Sequence, residues 1–283
     1  MSDTALNIRA ALDDAEARLG IAGCVTPRVD AEFLLAHVLG TTRSALHADG
    51  HRALTREEHA ELERLLARRE TREPLAYVLG EWGFRRLTLK TDRRALVPRP
   101  ETEIVVQRCL VLLRGIEAPH VLDVGTGSGA IALAIADEHP GARVTGIDSS
   151  QEALALAREN AERLGLGREF ELVERSLFEG LPEGPWDLVV SNPPYVRPEE
   201  IGTLAPEVRD WEPRAALVGE GATEAIAEQA RSVLGSGAAL VLETADGDAE
   251  RVAALLRELG YGEVAVTRDL AEHARVVEGV HGD

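Results

Sequence analysis

Lysine, aromatic residues and cysteine are all scarce in this chain of 283 residues. Lys90 is the single lysine among 31 basic side chains, and Trp, Tyr and Phe together make up 4% of the residues. The two cysteines, Cys24 and Cys109, lie in apolar stretches that have a helical pattern. This predicts two small buried side chains and argues against a disulfide framework or a cysteine metal site.

Long apolar segments and metal-ligand spacings are also missing. No run of residues approaches the ~18 consecutive apolar side chains that a membrane-spanning helix needs. The start, Met1–Thr4, has neither the basic residues nor the apolar run of a signal peptide. The histidines show no spacing typical of metal ligands. We therefore expect a soluble, cytoplasmic protein that neither binds a membrane nor holds a metal.

Basic charge is lacking in one part of the chain. Residues 1–95 carry 15 basic and 15 acidic side chains, whereas residues 96–283 carry 16 basic and 34 acidic ones. Affinity for nucleic acids comes largely from Lys and Arg side chains that displace counterions from phosphates. The acidic excess therefore predicts that the chain does not bind nucleic acid directly.

The length exceeds the ~100–200 residues of a usual domain, so two domains are expected. The first 75 residues have helical patterns throughout, with a helix starting at Thr26-Pro27 and capping-box spacing between Thr55 and Glu58. Residues 82–97 alternate apolar and polar side chains, which predicts a short hairpin. The predicted division is a helical domain over 1–80, a hairpin linker over 81–98 and a catalytic domain over 99–283.

The region from His120 onward alternates between strands and helices. This alternation predicts an α/β fold, with a mostly parallel sheet covered by helices on both faces. The strands are expected at 121–124, 143–147, 170–173, 187–190, 239–242, 264–266 and 276–277.

A glycine-rich turn follows the first of these strands. Glycines allow a sharp turn and let a ligand approach backbone N–H groups closely. Asp148 ends the next strand, where a carboxylate can accept hydrogen bonds from the ribose hydroxyls of an adenosine-containing cofactor. The same glycines satisfy the looser dinucleotide pattern, so a nicotinamide cofactor stays open at this point. The predicted cofactor residues of the turn are Gly125, Thr126, Gly127, Ser128 and Gly129.

The tetrapeptide Asn192-Pro193-Pro194-Tyr195 follows the apolar strand at 187–190. Two prolines fix the backbone and remove two N–H donors, so the loop is rigid and offers carbonyl oxygens. The Asn192 side-chain oxygen and the Pro193 carbonyl can each accept one N–H of an NH₂ group, and Tyr195 can stack on a flat amide or base. Such a loop would hold a conjugated, weakly nucleophilic nitrogen against a methyl donor, mainly by positioning and electrostatics.

Residues 120–195 resemble the class I methyltransferases that act on exocyclic or amide NH₂ groups. Three further segments resemble the bacterial release-factor glutamine methyltransferases, and with them the resemblance covers nearly the whole chain. The run Pro98-Arg99-Pro100-Glu101-Thr102-Glu103 is its most specific element. The segments are Glu73–Gly80, Leu96–Glu103, and Glu212-Pro213 with Ala216-Leu217.

The resemblance implies a Rossmann-like, doubly wound sheet and a small N-terminal helical domain that docks the substrate. It implies that the glycine turn and Asp148 bind S-adenosylmethionine, with Leu177 or Phe178 beside the adenine and Asn192 at both cofactor and substrate. It also implies that Asn192–Tyr195 bind the glutamine of the Gly-Gly-Gln motif in class I peptide-chain release factors. Departures from the family pattern occur at Ala76, at 219–223 and at 272–274, outside the two motifs that carry the chemistry.

Three alternatives make different predictions. A nucleic-acid base methyltransferase would present a basic channel. Residues 1–95 have no net charge and residues 96–283 are acidic, so the sequence does not predict such a channel. A nicotinamide oxidoreductase would leave the tetrapeptide at 192–195 unexplained and would lack a proton donor. A non-catalytic binding module would have no use for a rigid NH₂ clamp.

Overall fold

A computed structural model describes residues 6–282 of the chain. Within this range the backbone forms two compact units. The first contains the residues up to Gly80 together with the segment Ala205–Trp211, and the second contains Glu81–Leu204 and the residues from Glu212 onward. In the described part of the chain, no helix has both the length and the apolar character needed to cross a membrane.

The first unit is helical, as its sequence predicts. Its longest helix begins with the predicted capping box: Glu58 N donates to Thr55 Oγ1 over 3.1 Å, and Thr55 N donates to Glu58 Oε2 over 2.9 Å. The apolar faces of the helices enclose one core, which includes Cys24 as a free, buried thiol. The helices are α1 (Ile8–Ile21), α2 (Pro27–Val38), α3 (Arg43–Ala48), α4 (Arg56–Glu70) and α5 (Leu75–Leu79).

Ion pairs fasten the segment Ala205–Trp211 to these helices. Arg69 Nη2 donates to Glu207 Oε1 over 2.8 Å, and Arg72 Nη2 donates to Glu207 Oε2 over 2.6 Å. Arg69 also contacts Asp30 at 2.8 Å, and both of these side chains are almost fully buried. Since one buried arginine bridges two carboxylates, this later segment is part of the helical unit.

The second unit begins with the predicted hairpin and continues as a sheet with helices on both faces. The hairpin packs on this unit, since Lys90 N donates to Asn160 Oδ1 over 2.7 Å. The strands are β1 (Glu81–Phe84), β2 (Leu87–Lys90), β3 (His120–Val124), β4 (Arg143–Asp148), β5 (Phe170–Glu174), β6 (Trp186–Ser191), β7 (Leu234–Glu243), β8 (Gly262–Arg268) and β9 (Ala274–Val280). The helices are α6 (Thr102–Leu112), α7 (Ala130–Glu138), α8 (Gln151–Leu164), α9 (Ala222–Val233) and α10 (Ala249–Glu258).

The seven-stranded sheet has the order β5-β4-β3-β6-β7-β9-β8. The first five strands are parallel, whereas β9 is antiparallel to β7 and β8 is antiparallel to β9. One apolar core lies on each face, and Cys109 is a free, fully buried thiol in the core that contains α6 and α7. The predicted doubly wound α/β fold is thus confirmed.

Two details differ from the sequence prediction. The strand expected at 239–242 begins at Leu234, because the glycine-containing stretch that precedes the apolar run also adopts strand geometry. Short helical segments at Leu177–Glu179, Pro198–Thr203, Pro206–Arg209 and Arg214–Leu217 were not predicted, since they are too short to show a period.

The parallel strands place the candidate site at one edge of the sheet. The chain order reverses between β3 and β6, and ligand crevices in open α/β sheets lie beyond the carboxyl ends of the strands at such a point. Four strand ends lie at this edge: Val124 of β3, Asp148 of β4, Ser191 of β6 and Glu243 of β7.

Candidate active site

The glycine turn is fixed by hydrogen bonds to the neighbouring strand. The N–H groups of Gly125 and Thr126 both donate to the Ile147 carbonyl over 2.9 Å. Gly125, Gly127 and Gly129 have φ angles of +74°, +56° and +82°, a conformation that side chains with a Cβ rarely adopt. This geometry turns the chain within five residues from β3 into α7.

The third glycine serves packing more than ligand access. A Cβ on Gly129 would lie 3.1 Å from Leu133 Cδ1 and 3.3 Å from Phe170 Cε1, so this position faces the core. A Cβ on Gly125 would meet no atom within 4 Å. The open space above the turn is therefore at its first glycine.

Asp148 links the end of β4 to the glycine turn that follows β3. Its Oδ2 accepts a hydrogen bond from Gly127 N over 3.0 Å, and its Oδ1 accepts one from Ser150 N over 2.9 Å. Burial raises the pKa of this carboxyl above its usual range, and the backbone hydrogen bonds partly oppose that rise. The carboxylate is thus oriented by the backbone, and each oxygen keeps a second lone pair for a ligand.

Asp123 holds the glycine turn from below. Its Oδ2 accepts a hydrogen bond from Thr126 Oγ1 over 2.7 Å, and the side chain is only 1% exposed. Burial raises the pKa of Asp123 to about 7. This contact with Thr126 orients the glycine turn.

Hydrogen bonds fix both ends of the predicted catalytic loop. Ser191 Oγ donates to the Val124 carbonyl over 2.7 Å, which places the loop beside the glycine turn. Val196 N donates to the Leu217 carbonyl over 2.9 Å. Between these ends, Asn192 Nδ2 donates to Thr102 Oγ1 of α6 over 3.3 Å.

A cavity of about 390 Å³ opens between the glycine turn and this loop. Its size lies in the range of sites for small molecules and cofactors, ~300–1,000 Å³. Gly129 and Tyr195 are not in its wall, and Tyr195 is 38% exposed. The predicted residues that line the cavity are Gly125, Thr126, Gly127, Ser128, Asp148, Leu177, Asn192, Pro193 and Pro194.

Leu177 and Phe178 both line the cavity, in different ways. Leu177 packs on the apolar core, and its carbonyl accepts a hydrogen bond from Gln229 Nε2 over 3.0 Å. Phe178 is 69% exposed. Leu177 is therefore the fixed apolar contact, whereas the Phe178 ring lies at the rim.

The cavity wall also contains residues of the segment Leu96–Glu103. Arg99 lines the cavity, and its Nη2 donates to both oxygens of the buried Glu212 carboxylate over 2.8 and 2.6 Å. The Arg99 guanidinium lowers the pKa of Glu212, but burial has the larger effect and raises it. Two motifs far apart in the sequence thus form one half-buried ion pair beside the cavity.

Glu243 is a polar residue that the sequence reasoning missed. It ends β7, is 3% exposed, and within the described residues its Oε2 has no hydrogen-bond partner. Burial raises its pKa to about 7, while hydrogen bonds from Thr102 and Asn192 and the charge of Arg275 oppose this rise. The sequence feature that could have indicated Glu243 is an acidic residue at the end of an apolar strand, at the edge of the sheet where ligands bind.

The residues of the cavity fit an adenosine-containing cofactor. An oriented carboxylate at Asp148 suits ribose hydroxyls, the open face at Gly125 admits a ligand to the turn, and Leu177 offers an apolar surface for a base. Throughout residues 6–282, no group of His, Cys, Asp and Glu side chains is arranged to hold a metal ion.

Comparison with solved structures identifies the fold. The chain superposes on a methyltransferase from Pyrococcus furiosus with a TM-score of 0.50 and 19% identity, over 69% of this chain and 89% of that one. It superposes on the 16S rRNA N2 G1207 methyltransferase of T. thermophilus, solved with AdoMet and guanosine, with a TM-score of 0.51 and 18% identity, over 71% and 49% of the two chains. The architecture is that of the class I methyltransferases.

Sequence comparison narrows the family. Residues 10–80 match the family described as the PrmC N-terminal domain, and residues 103–208 match the methyltransferase small domain. The release factor glutamine methyltransferase of Caulobacter vibrioides is 42% identical over 94% of this chain and 93% of its own length. The enzyme of the same name from Deinococcus radiodurans is 43% identical over 96% and 98% of the two chains. This chain belongs to the family of release factor glutamine methyltransferases.

Proposed function

We propose that this chain transfers the methyl group of S-adenosylmethionine to the side-chain amide nitrogen of the glutamine in the Gly-Gly-Gln motif of class I peptide-chain release factors. The single observation that carries the proposal is that Asn192, Pro193 and Pro194 line the same cavity as Asp148 and the glycine turn. A site for an NH₂ group and a site for an adenosine-containing cofactor therefore share one space. The identity of the acceptor group, a glutamine amide, is inferred from the family to which the chain belongs.

The cofactor site is formed by residues of β3, β4 and the turn between β3 and α7. Asp148 accepts hydrogen bonds from the ribose, and Leu177 contacts the adenine. Asn192 reaches both the cofactor and the substrate. When bound, S-adenosylmethionine would supply a methyl group on a positively charged sulfur; as the N–CH₃ bond forms the S–CH₃ bond would break, a neutral thioether would leave, and the amide nitrogen would release one proton to water.

The protein's contribution to the chemistry is positioning. An amide nitrogen is a poor nucleophile because its lone pair is delocalised into the carbonyl. The Asn192 side-chain oxygen and the Pro193 carbonyl each accept one N–H, so that the nitrogen is held with its lone pair toward the methyl carbon. Alignment of this kind can contribute ~7–11 kcal/mol to lowering the barrier. Tyr195 stacks on the flat amide once the substrate peptide covers its exposed ring.

The two parts of the chain divide the work. The helical domain at residues 1–80 docks the release factor, the hairpin at 81–98 links the two parts, and residues 99–283 hold the cofactor and perform the transfer. Nucleic acid is not a direct ligand, because acidic side chains outnumber basic ones in the catalytic part by 34 to 16.

A transfer assay tests this function. The purified chain is incubated with tritium-labelled S-adenosylmethionine and, separately, with a class I release factor, the same factor with its motif glutamine changed to alanine, ribosomal RNA and DNA. We expect label only in the unmodified factor, and a mass increase of one methyl group on the peptide that contains Gly-Gly-Gln. Label in RNA or DNA, with none in the release factor, would instead establish a base methyltransferase.

A further inference from the structure

We propose that Asn160 is a positioning residue for the cofactor, which from helix α8 holds two walls of the cavity, the glycine turn and the segment 94–99, at a fixed spacing. The inference rests on the proposed function only in that the cavity binds S-adenosylmethionine. Asn160 is 0% exposed and does not line the cavity, so it acts through the backbone that it contacts. It is the one polar side chain among the buried residues of α8.

The Asn160 amide makes three hydrogen bonds to two different segments of backbone. Its Nδ2 donates to the Ser128 carbonyl of the glycine turn over 3.0 Å and to the Lys90 carbonyl at the end of β2 over 3.2 Å. Its Oδ1 accepts a hydrogen bond from Lys90 N over 2.7 Å. Both donors of the amide and its oxygen are thus in use. One buried side chain therefore joins β2 to the turn that follows β3.

Both of these segments lead directly into the wall of the cavity. Residues 125–128 line it from the turn, and residues 94–99, which follow β2, line it from the other side. The two walls come together at Gly127, where a Cβ would lie 3.9 Å from Ala95 Cβ. Ala95 in turn packs on α8. The width of the cavity at the turn therefore depends on how α8 holds the two segments.

The ion pairs next to Asn160 fasten only one of the two walls. Glu159 Oε2 accepts a hydrogen bond from Lys90 Nζ over 2.6 Å, and its Oε1 accepts one from Arg94 Nη1 over 2.8 Å. The Lys90 and Glu159 side chains are 43% and 41% exposed, and ion pairs at the surface contribute little because water screens them. These pairs connect α8 with the hairpin and the segment after it, whereas Asn160 also holds the glycine turn.

The three partners of Asn160 explain why an amide is needed at this position. An amide rotated by 180° would place its oxygen against two carbonyls, so the partners fix its orientation. An aspartate would keep an acceptor for Lys90 N but lose both donors of the amide, and an alanine would lose all three hydrogen bonds. In either variant the buried Ser128 carbonyl loses this donor, which is unfavourable and is relieved when the turn shifts.

Loosened walls should affect cofactor binding more than methyl transfer. When the free protein holds the walls at the binding distance for only a fraction of the time, the apparent Kd rises by the inverse of that fraction. Bound S-adenosylmethionine fills the space between the walls and restores their spacing, so kcat at saturating cofactor should change little. A residue that only stabilised the fold would lower the free energy of unfolding and leave the Kd unchanged.

A buried hydroxyl elsewhere in the second unit offers a matched control. The Tyr261 hydroxyl donates to the Ala227 carbonyl over 2.8 Å, and the side chain is 4% exposed. Tyr261 does not line the cavity. Tyr261→Phe therefore also removes a hydrogen bond from a buried side chain to a backbone carbonyl, but it does so without touching either wall.

The experiment measures the Kd for S-adenosylmethionine by calorimetric titration, kcat at saturating cofactor, and urea unfolding in Asn160→Asp, Asn160→Ala and Tyr261→Phe. We expect the Kd to rise by about 10-fold in both Asn160 variants, as when the walls are in place for roughly a tenth of the time, with kcat within about 3-fold of the wild type. Tyr261→Phe should lose stability and keep the wild-type Kd and kcat.

Hydrogen exchange detects the movement of the walls without an activity assay. Without cofactor, backbone amides at 90–97 and 124–130 should exchange faster in the Asn160 variants than in the wild type, and saturating cofactor should restore their protection. A wild-type Kd in both Asn160 variants, an equal rise of the Kd in Tyr261→Phe, or unchanged exchange at both walls would overturn the inference. If Asn160→Asp does not fold, Asn160→Ala decides. Neither the Kd nor the exchange needs a release factor, so absence of transfer by the wild-type chain would refute the proposed function and leave this test intact.

Discussion

Gly219 lies so close to Pro194 that a Cβ built on it would stand 2.4 Å from the proline Cγ and 2.8 Å from the proline carbonyl oxygen. The contact lies within the wall of the cavity, which both residues line. It is supported on either side, because Val196 and Val218 form a parallel bridge. The segment before α9 thus packs against the loop that we propose to hold the acceptor nitrogen.

Gly219→Ala should therefore slow methyl transfer by displacing Pro194. A methyl group cannot occupy a position 2.4 Å from a ring carbon, so the loop has to shift, and a misplacement of about 1 Å at a reacting centre can cost ~10²-fold in rate. We expect kcat to fall toward that factor and stability to fall by about 1–3 kcal/mol, the usual cost of overpacking. Single-turnover transfer to the release factor and urea unfolding measure the two effects.

Gly202→Ala is the control for this change. A Cβ on Gly202 would meet no atom within 4 Å, and the position is exposed. It should have wild-type kcat and stability. Equal rates in Gly219→Ala and the wild type would show that the position of Pro194 does not matter for transfer.

The positions of the glycine turn, Asp148 and the loop at 192–195 could be predicted because each follows a strand whose pattern is local. Once alternating strands and helices indicate a parallel sheet, the carboxyl ends of the strands must meet at one edge. The sequence therefore predicted which motifs line the same cavity.

Residues that act across long sequence separations could not be predicted in the same way. Glu243 belongs to no recognised motif, and its burial follows from the packing of helices on the sheet. Likewise, Ala205–Trp211 joins the helical unit because Glu207 meets Arg69 and Arg72, and no local pattern indicates such pairs. Hydrophobic periodicity indicates which face of a single helix or strand is buried, whereas these contacts depend on how the helices and strands pack together.

Asn192→Ala should slow transfer strongly while leaving cofactor binding largely intact. The substitution removes the oxygen that accepts from the acceptor NH₂, whereas Asp148 and the glycine turn keep their backbone hydrogen bonds. Loss of one preorganised polar contact of this kind costs ~10²–10³-fold in kcat. Mass spectrometry of the Gly-Gly-Gln peptide measures transfer, and calorimetric titration measures the Kd for S-adenosylmethionine. Full activity in this variant would refute the role given to Asn192.

Asp148→Asn should weaken cofactor binding, in contrast to Asn192→Ala. Hydrogen bonds to a charged group contribute about 1.5–3 kcal/mol, so the Kd for S-adenosylmethionine should rise by roughly 10- to 100-fold. Asp187→Asn is the matched control, because Asp187 accepts a hydrogen bond from His120 N at the start of the neighbouring strand, the opposite edge of the sheet. Titration of both variants with the cofactor should show a change in the first only. A wild-type Kd in Asp148→Asn would mean that the ribose is held by other residues.

Glu243→Gln should make the protein more stable at alkaline pH. Burial raises the pKa of Glu243 from 4.5 to about 7, so between these values the folded state keeps a proton that the unfolded state has lost. Stability contributed by this group therefore falls as pH rises through that window and stays low above pH ~7.

The neutral glutamine removes this dependence, so the difference in unfolding free energy between variant and wild type should grow from about pH 5 to about pH 8. Each unit of pKa shift corresponds to about 1.4 kcal/mol, which sets an upper limit of roughly 3 kcal/mol. Urea unfolding at several pH values measures the difference. Asp123, whose pKa is also raised to about 7, is present in both proteins and cancels in the comparison. Two parallel stability profiles would mean that burial of the Glu243 carboxylate does not lower stability at alkaline pH.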